Sequence, residues 1–107
     1  LDKYEYRLKT EEMLKCVAAR DFKKAETIAD SIDWRRVKSV SMLCTVSDIY
    51  DECRRYSDAR EILFIAYDRA PNSRKIIFGL AELAIKTGDL DEASDCYDEF
   101  ISVAPKD

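Results

Sequence analysis

No histidine occurs among the 107 residues. A Ser–His–Asp or Cys–His relay is therefore excluded, and so is the commonest metal ligand. Only two glycines and two prolines are present, far fewer than the tight turns of a β-sandwich or barrel demand. The chain also has no glycine-rich phosphate loop. No run of 18 apolar residues exists, so no segment reads as a transmembrane helix, and no signal peptide is evident. The four cysteines, Cys16, Cys44, Cys53 and Cys96, include no C-x-x-C pair. That spacing speaks against zinc and against a disulfide framework. They read as small apolar residues in a reducing compartment, so we expect a cytoplasmic location, or the cytoplasmic part of a larger protein. Leu1 in first place leads us to expect a piece of a longer protein. No metal and no cofactor is expected.

What the chain does have is charge and periodicity. Charged residues make up 37%, hydrophobic ones 47%, with both charge signs interspersed. That is the composition of amphipathic helices with solvated faces, which is also how the abundant carboxylates read. The net charge of −4 suits phosphate backbones poorly, so no nucleic-acid partner is expected. The only basic clusters are Arg35-Arg36 with Lys38, and Arg54-Arg55.

Apolar residues at helical spacing predict six helices. They cover about residues 3–19, 22–32, 36–54, 57–69, 74–87 and 90–103. Ser57 and Ser73 are the expected caps of the fourth and fifth helices, and Thr87-Gly88-Asp89 a glycine stop. Trp34 at the first junction between hairpins reads as a packing plug. Corners of two to four residues make antiparallel neighbours, hence three helix hairpins.

A fixed step organises the whole chain. Ala25, Ala59 and Ala93 stand 34 residues apart, as do Phe22, Tyr56 and Leu90, and as do Pro71 and Pro105. Each hairpin leaves an apolar face for the next, so a repeated hairpin stacks into a solenoid. The 34-residue helix–turn–helix unit resembles the tetratricopeptide repeat. Residues 40–73 carry Leu43, Val46, Ser47, Tyr50, Tyr56, Ala59, Leu63, Ala66 and Pro71 in the family's register. Residues 74–107 carry Ile77, Leu80, Ala81, Ala84, Leu90, Ala93, Tyr97, Phe100 and Pro105, while residues 6–39 match less well. The resemblance implies an all-α, right-handed superhelix over the single domain 1–107, with small residues where paired helices cross: Ser47 on Ala59, Ala81 on Ala93.

It also implies a non-catalytic module that holds a peptide or helix in a concave groove formed by the first helix of each repeat. Carried over by position, the groove takes Arg7, Thr10, Leu14, Val17 and Ala18, then Ser41, Cys44, Asp48, Asp51 and Glu52, then Lys75, Phe78, Glu82, Ile85 and Lys86. Some members clamp a carboxylate terminus. At those positions stand Thr10, Leu14, Asp48, Lys75 and Gly79, of which only Lys75 suits. Asp48, Asp51 and Glu82 instead suit a basic or amphipathic protein partner with an apolar anchor. The alternative is a structural module that self-associates into a homo-oligomer through Tyr97, Phe100 and Ile101 on the sixth helix. A third reading, a resemblance to pentatricopeptide RNA binders, which have similar helix pairs, is weakened by the acidic groove.

Overall fold

The computed structural model describes residues 1–103, and among these there is no strand. Six helices follow one another: α1 (Lys3–Ala18), α2 (Phe22–Ala29), α3 (Val40–Glu52), α4 (Tyr56–Arg69), α5 (Arg74–Lys86) and α6 (Leu90–Ser102). α1 packs chiefly on α2, α3 on α4, and α5 on α6, and the hairpins join through α2 with α3 and α4 with α5. The result is 40 Å long and 27 by 23 Å across. Pro105 lies outside the described residues.

Each hairpin turns by the same device. α1, α3 and α5 end on Ala19, Cys53 and Thr87, and the next residue enters the left-handed region: Arg20 and Arg54 at φ 60°, Gly88 at φ 80°. The amide after it reaches back to the helix: Asp21 to the Cys16 carbonyl at 2.8 Å, Arg55 to Tyr50 at 2.8 Å, Asp89 to Ala84 at 2.9 Å. This is the Schellman closure, and it satisfies carbonyls that the helix end leaves open. It occurs at the same step of 34, so the corner repeats even where glycine does not.

The capping residues follow. Asp2, Asp21, Ser39, Ser73 and Asp89 each accept a backbone N–H from the first turn of the helix they precede. The expected cap at Ser57 is corrected. α4 begins one residue earlier, behind Arg55, because the corner places residue 55 at the cap. Arg55 cannot accept a backbone N–H, and its side chain works elsewhere.

The core runs through all three hairpins. Met13, Leu43, Val46, Ile49, Ile76 and Ile77 are its largest enclosed side chains. At the α3–α4 crossing Ser47 is buried and donates to the Ala59 carbonyl at 2.9 Å. Ala81 and Ala93 are buried too. α4 and α5 approach so closely at Gly79 that a Cβ there would lie 2.8 Å from Leu63 Cδ2.

The second and third helices differ from expectation. α2 stops at Ala29, and a single 3-10 turn (Trp34–Arg36) and an extended stretch precede α3 at Val40. The connection therefore spans residues 30–39, not a short corner. Asp30, Ser31 and Asp33 explain the early stop, since acids at a helix C-terminus oppose its dipole and serine competes for its backbone. α4, by contrast, has Arg69 in its last turn and continues. Trp34 fills the gap: it is buried, donates its indole N–H to the Ala29 carbonyl at 3.0 Å, and meets Tyr6 edge-on.

Candidate functional site

α3 and α5 run side by side as the first helices of the second and third hairpins. Between their N-terminal halves lies an open cleft of about 310 Å³. Cys44, Asp48 and Lys75 meet here, with Val40, Thr45 and Ile76 as apolar or small lining. Loss of water around Asp48 raises its carboxyl above the usual range; Lys75 opposes this, and Asp51 and Glu52 add to it. Burial likewise raises the Cys44 thiol, so it is a neutral wall rather than a nucleophile at neutral pH.

The C-terminal halves of the same two helices are tied together. Lys86 Nζ donates to Asp51 at 2.8 Å and lies over the Tyr56 ring. The Lys86 ammonium is raised by that bond. Of the acids read from the sequence, Asp51 is thus already neutralised. Asp48, Glu52 and Glu82 make no ion pair among the described residues.

The other sequence-derived positions are scattered. Leu14 is exposed on α1, outside this cleft. Thr10 is corrected: it is buried and donates to the Tyr6 and Arg7 carbonyls, so it offers a partner nothing. Val17 packs on the core, and Gly79 is a packing contact, not a ligand position. Phe78 leans toward α6, with its ring 6.1 Å from Tyr97 and 5.5 Å from Phe100. Arg74 sits over Phe100 at 4.0 Å. The residue read as part of the groove therefore joins the set read as a self-association face. Ile101 stands beside it, 77% exposed.

Sequence reasoning missed two features. One is the charge clusters between hairpins. Arg55 donates to Glu26 at 3.1 Å, Asp30 at 2.8 Å and Asp58 at 2.9 Å, and covers the Tyr50 ring. Its bonds hold the Glu26 and Asp30 carboxyls below the usual carboxylate range. Tyr50 donates to Asp30 at 2.8 Å, and burial together with that carboxylate raises its phenol. One repeat later Arg60 bridges Asp89, at 3.2 Å, and Glu92. Positions 26 and 60 correspond, as do 55 and 89, but the charges are exchanged. Aligning the repeats column by column exposes this pairing. The other missed feature is a second cleft, between the start of α1 and the stretch before α3.

A tetratricopeptide-repeat family model matches residues 52–107, just over half of the chain. No curated protein sequence matches it. Among solved structures, MamA AMB-1 superimposes with a TM-score of 0.78 at 17% identity, over 89% of this chain and 52% of that one. MamA MSR-1 gives 0.77 at 16% identity, over 91% and 56%. The chain spans about half the length of these structures, and at this identity the likeness is one of fold. Paired helices, the 34-residue step, the threefold Schellman corner and the family match agree: the chain belongs to the tetratricopeptide-repeat family, whose repeats serve as protein–protein interaction modules.

Proposed function

We propose that this chain holds a basic or amphipathic segment of a partner protein along the α3–α5 cleft, without catalysis. One observation carries the reading. The cleft is open, and the acids beside it, Asp48, Glu52 and Glu82, make no ion pair among the described residues, Lys75 acting on Asp48 only through the cleft. A lysine or arginine of the partner satisfies Asp48, while Val40 and Ile76 receive an apolar side chain. Lys75 at the rim sets the register by repelling a second cation.

The test compares the chain with a variant carrying Asp48→Lys, Glu52→Lys and Glu82→Lys, none of which breaks an ion pair seen here. After circular dichroism shows equal helicity, both capture partners from lysate, and the recovered partner is titrated against each. The expected result is at least about a tenfold loss of affinity in the variant, from three reversed charges. Equal affinity would move the site away from α3 and α5.

A second reading is favoured by the cluster of half-buried Tyr97 and Phe100 with exposed Phe78, beside the exposed Ile101, which suits pairing with another copy. Light scattering across concentration separates the two: association that Ile101→Glu abolishes supports pairing through α6. A mass that stays monomeric at high concentration removes it.

A further inference from the structure

The second cleft has the opposite character to the first. It encloses about 620 Å³ between the first turn of α1 and residues 36–39. Its floor is apolar: Tyr6, Ile32 and Val37. Its rim is basic: Lys3, Arg36 and Lys38, all exposed and none in an ion pair among the described residues. The two carboxylates in the lining are already engaged. Asp2 accepts the Glu5 amide at 2.8 Å, and Asp33 takes both Nε and Nη2 of Arg35 at 3.0 and 3.1 Å. Three cations thus face the opening without an ion pair among the described residues.

The basic wall is also held still. Arg69 reaches from α4 and donates to the carbonyls of Arg35 and Val37, each at 2.9 Å, so the backbone is fixed on both sides of Arg36. Trp34 is anchored behind it on Ala29. A rigid wall loses little freedom when a ligand arrives. Phosphate backbones need many cations in a track, and here only three surround an apolar floor, so the chemistry is that of a polypeptide.

We propose that this cleft is a separate docking site for an acidic segment of a partner protein, anchored by one large apolar side chain between Tyr6 and Val37. Carboxylates flanking the anchor pair with Lys3, Arg36 and Lys38. The site lies outside the α3–α5 cleft and is opposite to it in sign, so one chain discriminates two kinds of segment.

The probe is a fluorescein-labelled peptide of alternating glutamate with leucine and phenylalanine, titrated by anisotropy into the chain. Saturable binding is expected, weakened about tenfold or more by Lys3→Glu, Arg36→Glu and Lys38→Glu together. Salt at about 0.5 M weakens it as well, because the rim is exposed. Asp48→Lys leaves it unchanged, which keeps this result distinct from the first cleft. Absence of binding by the folded chain overturns the proposal, as does equal binding by the triple variant. Stronger binding to phosphatidylserine vesicles than to the peptide assigns the cations to a lipid surface and overturns it. So does self-association that the triple variant abolishes, since the occupant is then a second copy.

Discussion

The junction between the first and second hairpins and the junction between the second and third are built from the same positions with different residues. At the first, the cation is Arg55 at the start of α4, and the acids Glu26 and Asp30 belong to α2 and its end. At the second, the cation is Arg60 within α4, and the acids Asp89 and Glu92 belong to the start of α6. Helix spacing decides where an ion pair forms; it does not decide which partner carries which sign. Exchanging the signs has a use in a repeat array. A hairpin shifted by one place would set Glu26 against Asp89, or Arg60 against Arg55, and like charges at contact oppose the slip. The first junction is also irregular, with a ten-residue connection and a buried tryptophan, where the second is a four-residue turn around Pro71.

The largest expected effect breaks the irregular junction. Trp34→Ala should lower unfolding free energy in urea by about 3 kcal/mol or more, since a buried indole and its bond to Ala29 are lost. The corresponding residue of the next repeat is Asp68, exposed on α4, and Asp68→Ala should stay within about 0.5 kcal/mol. Equal losses at the two sites would mean that the tryptophan does not hold the first junction.

Next comes the charge exchange. Arg55→Ala should cost about 2 kcal/mol, because Glu26 is buried and keeps only Lys23 as partner. Arg60→Ala should cost about 1 kcal/mol, as its acids are nearer solvent. Acid distinguishes the junctions further. Glu26 and Asp30 titrate lower folded than unfolded, so their contribution is complete above the unfolded value of about 4 and disappears as pH falls through the folded values. Stability measured between neutral and acid pH should therefore fall less steeply in Arg55→Ala than in the parent chain. An unchanged acid slope would detach those carboxylates from Arg55.

The smallest effect concerns the corners. Gly88→Ala has open space around its new Cβ, so its cost of about 1 kcal/mol is conformational alone. Arg54→Gly relieves the same conformation and should gain about 0.5 kcal/mol, reduced by the freedom that glycine adds to the unfolded chain. Thermal melts of the two variants should move in opposite directions.

These contrasts also mark what the sequence made legible. The step of 34, the hairpins, the Ser73 cap and the Gly88 stop follow from local rules, and the structure has them. The left-handed corners at Arg20 and Arg54 do not, because arginine carries no signal for that conformation; only their register with Gly88 reveals it. The early end of α2 is written only in Asp30, Ser31 and Asp33, which helical spacing does not weigh, and Trp34 then folds back onto Ala29, a contact that spacing also ignores. In the candidate site, the period put Cys44, Asp48 and Lys75 on one groove, and they line one cleft. It did not foresee that Lys86 would neutralise Asp51, or that Phe78 would turn to Tyr97 and Phe100. The basic cleft was hidden for a simple reason: it joins Lys3 to Arg36 and Lys38, which lie more than thirty residues further along the chain.

The buried indole has an optical consequence. Trp34 is the only tryptophan in the chain, so emission excited beyond the absorption of the six tyrosines reports the first junction. Far-ultraviolet dichroism weighs all six helices at once. In a stacked array whose units touch only their neighbours, the two signals need not change together. Where emission outlasts ellipticity on heating, α5 and α6 have frayed while the tryptophan end still stands, so a fluorimeter and a dichrograph locate the weak end without a single label.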